Sequence, residues 1–300
     1  MKRIAVVVAA VLLLILTAAF VPHGQRPDRS YDTSIEHPAF TATHPLVLVD
    51  EAHDNAHTIR SGYSPFASLL RNDGLRVEAN DRPFTAASLR DARVLVIVNA
   101  AGGWNPKLFG FNLQPLRRGR RDASAFTAAE VTAVRDWVRQ GGALLLVADH
   151  YPYGAASASL AAAFGVAMNG GFAEVPGGDR STIEFSRDKG LLAEHPITAG
   201  LRRVLSFTGQ SLTSPESDAL LRLPPNAVEY VPPPPRFHPA RAGNAQAVAL
   251  QYGKGRVVIF GEAAMLTAQI DDRGRKFGMN VAGCDNRQLV LNTLHWLILQ

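Results

Sequence analysis

Acidic side chains and imidazoles are concentrated at three short places in this sequence. The densest is residues 50–57, which read Asp-Glu-Ala-His-Asp-Asn-Ala-His, and the others are the pair Asp149 and His150 and the single Glu262. Carboxylates and imidazoles bind divalent metal ions, and they also serve in metal-free acid–base catalysis. The same residue types cap helices and hold loops without any turnover. The pattern therefore leaves three interpretations open.

The candidates divide into two groups. In the metal-free interpretation His53 or His150 is the base and a carboxylate orients it. A divalent metal ion is the one cofactor that the set suggests, and the sequence does not assign its ligands. The catalytic candidates are Asp50, Glu51, His53, Asp149, His150 and Glu262. The binding candidates are Asn55, His57, Tyr151, Asn280, Asp285 and Asn286.

Predicted β-strands position these residues. Residues 46–49, 143–147 and 257–260 are continuous apolar runs that end just before Asp50, Asp149 and Glu262, as expected of strands buried on both faces. The clearest helix spans 126–140, where Thr127 and Glu130 have the spacing of a capping box. Since strands alternate with helices, we predict a mostly parallel, doubly wound α/β sheet with helices on both faces. Ligands of such sheets bind beyond the carboxyl ends of the strands, so we expect the candidates to share one edge.

The predicted domain spans residues 46–300 and includes a less regular stretch at 168–245, which we interpret as an elaborated insertion. Its strand signals are weak, and four consecutive prolines at 232–235 form a stiff spacer. The pattern becomes regular again at 247–251, and a final helix is predicted over 286–299.

The N-terminus has the features of an export signal or membrane anchor. Lys2 and Arg3 precede eighteen residues, 4–21, of which only Thr17 is polar. As a helix this run is about 27 Å long, enough to cross the hydrocarbon core of a bilayer. The two basic residues favour a cytoplasmic N-terminus. We therefore predict a single-pass anchor or signal at 1–21, a tether at 22–45, and a domain on the extracytoplasmic (periplasmic) side of the cytoplasmic membrane.

Charge and cysteine content exclude other classes of protein. The net charge is +5, of which the leader contributes two, and the basic run at 117–121 has no interleaved aromatic residues to stack on bases. We therefore expect no nucleic-acid partner. Cys284 is the only cysteine, so an intramolecular disulfide and a Cys-based zinc cluster are both excluded.

Four motifs in order resemble class I glutamine amidotransferase-like domains. The similarity covers residues 46–300 and is greatest to the bacterial, membrane-anchored branch related to gliding-motility and ABC-transport auxiliary proteins and to trehalose-utilisation-type proteins. It implies a flavodoxin-like α/β fold. The motifs are the Gly141-Gly142 turn before the strand ending at His150, His195-Pro196-Ile197 with Thr198-Ala199-Gly200, the hairpin Gly253-Lys254-Gly255, and the ending from Asp285 to Leu297.

The departures from that family bear on function. The resemblance implies a cysteine in an elbow after the central strand and a His-x-Glu pair after a late strand. This chain has Ala148-Asp149-His150 at the first place and keeps only Glu262 at the second. The thiolate is the nucleophile of such enzymes, so glutamine hydrolysis is not expected. We predict an accessory domain that binds a small polar ligand or an envelope protein, with a hydrolase that uses the Asp/Glu/His edge as the alternative.

Overall fold

The computed structural model describes residues 24–102, 107–108, 111–112, 123–179, 181–232 and 236–299. The predicted anchor at 4–21 and the basic run at 117–121 lie outside these residues. The strands are β1 (Arg26–Pro27), β2 (Leu46–Asp50), β3 (Arg76–Asn80), β4 (Val94–Val98), β5 (Lys107–Leu108), β6 (Phe111–Asn112), β7 (Ala143–Val147), β8 (Ala167–Met168), β9 (Phe172–Glu174), β10 (Ile183–Ser186), β11 (Arg203–Ser206), β12 (Leu212–Thr213), β13 (Ala219–Arg222), β14 (Val228–Val231), β15 (His238–Arg241), β16 (Ala245–Tyr252), β17 (Gly255–Phe260), β18 (Ala268–Ile270) and β19 (Lys276–Gly278).

The α-helices are few and lie close to the predicted positions. Three short 3₁₀ turns, Pro196–Thr198, Glu216–Asp218 and Ala264–Leu266, add to them. Among the described residues, no helix is both long and apolar enough to cross a membrane. The α-helices are α1 (Ser64–Asn72), α2 (Ala86–Leu89), α3 (Ala128–Arg139), α4 (Tyr153–Ala162) and α5 (Asn286–Ile298).

A large mixed sheet forms the centre of the molecule, with strand order β3-β2-β4-β7-β17-β16-β12-β8 and β13 also paired with β16. The first five of these strands run parallel. The strands from β16 onward are antiparallel. The sheet is therefore less parallel than the sequence predicts, because the stretch interpreted as an insertion supplies β8, β12 and β13 to it.

Alternate residues of the parallel strands pack into two separate cores. Val47 and Val49 belong to the core that includes Phe66 of α1 and Leu294 of α5. The residues between them face the opposite core, which contains Val134 of α3 and other residues of α3 and α4. Helices thus cover both faces of the sheet, which is the doubly wound arrangement. Because both faces of each parallel strand are buried, these strands are continuously apolar, as the sequence pattern indicates.

Residues 24–45 follow the surface of the domain and are held to it. Strand β1 pairs with β18, the backbone N–H of Ala39 donates to Asp73 at 2.8 Å, and Phe40 is buried in the core. Arg287 of the last helix donates to the backbone oxygens of Asp32 and Ser34. The composition of this segment predicts a tether, whereas in the structure the segment lies against the domain.

Candidate functional site

The ends of the parallel strands place most of the acidic candidates at one edge of the sheet. Val147 of β7 pairs with Val98 of β4 on one side and with Phe260 of β17 on the other. Asp149 and Glu262 therefore each lie two residues beyond a matched pair of neighbouring strands. Asp50 is the last residue of β2, on the far side of β4. Within this edge the side chains separate into two clusters.

The first cluster is a buried histidine between two carboxylates. His53 Nδ1 donates to both carboxylate oxygens of Asp50 at 2.9 Å. His53 Nε2 donates to Oε1 of Glu130 at 2.8 Å. The rings of Phe84 and Phe126 pack on the imidazole, with centroids 4.5 and 5.0 Å away. His53 is only 8% exposed, so its ring nitrogens are enclosed and engaged.

Glu130 has two structural functions at once. Its Oε2 completes the predicted capping box of α3 by accepting from the backbone N–H of Thr127 at 3.0 Å, while Oε1 accepts from His53 and from the N–H of Phe84. Burial opposes the charge of Glu130, but the Thr127 backbone N–H and the other donors lower its pKa to about 2. Burial likewise opposes a charged His53, yet Asp50 and Glu130 raise its pKa above the ordinary value. The cluster is a closed ion-pair network.

Glu51 and Asn55 fix the loop around that network. Asn55 donates to Asp50 and to the backbone oxygen of Val98, and its own oxygen accepts from the N–H of His53. The carboxylate of Glu51 accepts from the backbone N–H of Ile59 at 2.9 Å. These bonds satisfy the polar groups of a buried turn.

The second cluster surrounds Asp149. Its Oδ2 accepts from Asn99 at 2.7 Å, and its Oδ1 accepts from the backbone N–H of Ala263 at 2.7 Å. Asn99 adopts a left-handed backbone with φ of 46°, a conformation that asparagine tolerates better than most residues. The hydroxyl of the buried Tyr63 donates to the backbone oxygen of Ala263. Asp149 therefore joins β4 and β7 to the turn that follows β17.

Glu262 is buried beneath that turn. Its two oxygens accept from the backbone N–H groups of Ala264 and Met265 at 2.7 and 2.8 Å, and it is 1% exposed. Burial, and then the neighbouring charge of Asp149, raise the pKa of Glu262 well above its ordinary value. The carboxyl group organises the Ala264–Leu266 turn from inside the protein.

His57 and Gln269 lie against Gly62 beside the second cluster. A Cβ atom on residue 62 would be 2.3 Å from His57 Nδ1 and 3.1 Å from Gln269 Nε2, so glycine is what allows these side chains to approach. His57 stacks on Tyr63 with ring centroids 5.5 Å apart. Burial lowers the pKa of His57, and the charge of Asp149 partly opposes that shift. The imidazole is therefore biased towards its neutral form.

Gln269 is the least satisfied polar side chain of this region. It is completely buried, and neither its Oε1 nor its Nε2 has a hydrogen-bond partner among the described residues. The Oδ1 of the neighbouring Asn280 is likewise buried without a partner there. A buried carboxamide normally makes its hydrogen bonds, because burying it unpaired costs on the order of 1–3 kcal/mol. Two side chains therefore present unused hydrogen-bonding groups close to His57.

His150 and Tyr151 join the sheet edge to the 168–245 segment. The His150 ring stacks on Phe172 with centroids 4.1 Å apart, and its Nδ1 donates to the backbone oxygen of Tyr151. The backbone N–H of Tyr151 donates to the oxygen of Gly170. Gln210 then connects the Gly170 N–H to the backbone oxygens of Ala148 and Asp149. These contacts hold the segment against the end of β7.

The three binding candidates near the C-terminus hold the scaffold together. Asn280 donates to Asp28 and to the backbone oxygen of Gln269. Asp285 accepts from the N–H groups of Arg202 and Arg203. The buried Asn286 bonds to both the N–H and the oxygen of Leu205 and to the oxygen of Met265. Only Asn280 leads back to the edge cluster, through Gln269.

The metal interpretation finds no grouping that supports it. In the part of the chain that the structure describes, no three histidine, cysteine, aspartate or glutamate side chains are arranged to hold a metal ion. Cys284 packs with the small apolar cluster of Leu205, Phe207 and Ala264, where its Sγ donates to the Val281 oxygen at 3.1 Å. Burial raises the pKa of the Cys284 thiol.

Sequence reasoning does not identify the site functions of Glu130, Tyr63 and Gln269. The capping-box pattern that includes Glu130 gives no indication that its other oxygen reaches His53. Tyr63 precedes α1 and Gln269 lies on the short strand β18, where nothing in the local pattern distinguishes them. Only the proximity of His57, Gly62 and Gln269 in space reveals the cluster.

Comparisons with known proteins show the fold. No protein-family model and no curated protein matches this chain. Among solved structures, the mmIFT52 N-terminal domain is similar over 85% of this chain and 98% of that domain, with a TM-score of 0.57 at 14% identity. A ThuA-like protein from Bacteroides uniformis covers 88% and 93%, with a TM-score of 0.46 at 15% identity. A GMP synthase-like protein from Thermoplasma acidophilum covers 83% and 92%, with a TM-score of 0.40 at 12% identity.

Proposed function

We propose that this chain is a ligand-binding accessory domain that recognises a small polar ligand through Gln269, Asn280 and His57 and performs no amidotransferase chemistry. The observation that carries the proposal is Gln269, a buried carboxamide whose acceptor and donor both lack partners within the described residues. A ligand with its own donor and acceptor, such as a primary amide, would complement them. The missing thiol after β7 supports a binding function rather than glutamine hydrolysis.

Acetamide is the smallest probe with this complementarity. For the full-length chain purified in detergent, we expect saturation-transfer NMR to detect acetamide and urea but not N,N-dimethylacetamide, which has no N–H donor. Gln269→Leu should abolish the signal without unfolding the protein, because it removes a polar group that has no partner to lose. Gln288→Leu, at an exposed position of α5, is the matched control. Failure to detect acetamide, or an undiminished signal in Gln269→Leu, would contradict the proposal.

We further propose that residues 4–21 hold the domain at the outer face of the cytoplasmic membrane, as an accessory component of an envelope system. The support is the length and apolarity of that run and the basic residues before it. The full chain should remain in the membrane fraction after carbonate extraction. Introducing Leu12→Arg and Leu14→Arg together should release it, since each charge costs about 2.5–3.5 kcal/mol at the centre of a membrane helix. Release of the unaltered chain by carbonate would refute the anchor.

A hydrolase that uses the polar edge is the second candidate. It is favoured by one observation, the pairing of a histidine biased towards the neutral form with a neighbouring carboxylate. A neutral imidazole can accept a proton, and Asp149 would favour the imidazolium that results. Steady turnover of p-nitrophenyl acetate or p-nitrophenyl phosphate that is lost in both His57→Gln and Asp149→Asn would establish this candidate. Equal rates in the unaltered and His57→Gln proteins would remove it.

A further inference from the structure

The 168–245 segment encloses a cavity that the edge of the sheet does not share. The cavity has a volume of about 460 Å³, within the range of small-molecule sites. It lies between the turn after β10, the end of β13 and the residues that precede β16. Its wall includes Leu191, Leu223 and Pro224, which give it an apolar side.

Positive charge predominates in this cavity. Lys189, Arg222 and Arg241 line it, and Glu216 is the only carboxylate residue among those lining it within the described part of the chain. Lys189 is paired with Glu184 outside the cavity at 2.9 Å. Glu216 is shared, because Asn244 donates to its Oε2 at 3.0 Å while its Oε1 lies 3.5 Å from Arg222. One carboxylate therefore faces two arginines.

Arg222 has hydrogen-bonding capacity to spare. Its Nε is buried and makes no hydrogen bond within the residues that the structure describes. A guanidinium group offers donors in a fixed fork that suits the two oxygens of a carboxylate or phosphate. Arg241 is exposed and lines both this cavity and an adjacent one of about 640 Å³. A second guanidinium is thus available on the same wall.

The neighbouring cavity shows that this excess of charge is local. That cavity, of about 540 Å³, shares Lys189 and Leu191 with the first. Its other charged residues are Asp179, Glu184 and Arg203, so cations and carboxylates balance. Glu184 accepts from Arg203 at 2.7 Å as well as from Lys189. An anion would therefore be attracted to the first cavity and not to the second.

We propose that the cavity of Arg222 and Arg241 is a binding site for a small organic anion, with a carboxylate or phosphate head on a short apolar body. The head is held by the two guanidinium groups, and the body packs against Leu191, Leu223 and Pro224. The residues differ from those of the Gln269 cluster, so either proposal can fail without the other. The sequence gives no signal for this site, because its cations come from separate strands of the predicted insertion.

Isothermal titration of the full-length chain with butyl phosphate, pentanoate and butanol tests the proposal. We expect both anions to bind, with the tighter one identifying the preferred head, and butanol to bind at least tenfold more weakly. Arg222→Gln and Arg241→Gln should each weaken anion binding by roughly tenfold, since each removes a charge-assisted hydrogen bond. Added salt should weaken the binding as well.

Arg273→Gln is the matched control, because Arg273 is an exposed arginine outside this cavity. It should leave anion binding unchanged, and thermal unfolding of all three variants checks that they remain folded. An equal loss of affinity in Arg273→Gln would overturn the proposal, since binding would then depend on net charge alone. Butanol binding as tightly as the anions, or no saturable binding of either anion, would overturn it too.

Discussion

His53 donates its Nε2 proton to Glu130 across 2.8 Å, although 77 residues separate them in the sequence. The bond connects the loop after β2 to the first turn of α3. With Asp50 on the other ring nitrogen, the imidazole joins two carboxylates in the protein interior. A residue that the sequence presents as a candidate base is thus fully engaged in holding two elements together.

Removing Glu130 should destabilise the protein much more than removing the cap that it shares. Glu130→Ala leaves the His53–Asp50 pair without its second carboxylate, and we expect a loss of about 3–5 kcal/mol in the free energy of unfolding. Thr127→Ala removes the cap but spares the ion pair, with an expected loss of about 1 kcal/mol. Urea denaturation of both variants measures the difference. Similar losses would show that capping, not the ion pair, is what Glu130 contributes.

The same network should give the stability a bell-shaped dependence on pH. The pKa of Glu130 is lowered from 4.5 to about 2, so its contribution is present above pH 4.5 and lost as the pH falls towards 2. The pKa of His53 is raised from 6.5, so its contribution is present below pH 6.5 and lost as the pH rises through the folded-state value. Both contributions are present together between these limits.

Urea midpoints of the unaltered protein and of His53→Gln, measured between pH 3 and pH 9, test this dependence. The stability difference between the two proteins should be largest near pH 5–6 and should shrink as the solution becomes more alkaline. A difference that stays constant up to pH 9 would mean that His53 is not held as an imidazolium in the folded protein.

Gly62→Ala should displace His57. The new Cβ would lie 2.3 Å from His57 Nδ1, and such overpacking costs about 1–3 kcal/mol. His57→Ala removes the side chain that clashes, so the double variant Gly62→Ala/His57→Ala should recover most of the loss. A double-mutant cycle based on thermal or urea unfolding measures this coupling. Additive losses would contradict the contact between Gly62 and His57.

Cys284 should react slowly with thiol reagents in the folded protein. The side chain is partly buried, and burial raises the pKa of its thiol, so little thiolate is present at pH 7.5. We expect iodoacetamide to modify the native chain many times more slowly than the urea-unfolded chain, as followed by intact mass. Rapid alkylation of the native protein would reveal an activated thiol and would reopen the question of cysteine chemistry.

Much of the frame could be predicted from the sequence. The apolar runs at 46–49, 143–147 and 257–260 correspond to β2, β7 and β17, and the capping box at Thr127 begins α3 as predicted. The antiparallel part of the sheet is harder to predict. Strands β8 and β12 have two residues each, too few to show a period, and they form because β16 and its neighbours offer them hydrogen-bond partners.

The sequence by itself determined the buried parallel strands, the edge at which their acidic ends emerge, and the absence of a thiol at the elbow. These follow from periodicity, capping and residue identity, all of which depend on residues close together in the chain. Only the tertiary structure decided that His53 is enclosed by Asp50 and Glu130, and that Gln269 and His57 lie together at Gly62. Such pairings depend on strand register and side-chain packing between distant segments, and local sequence does not encode either by a pattern.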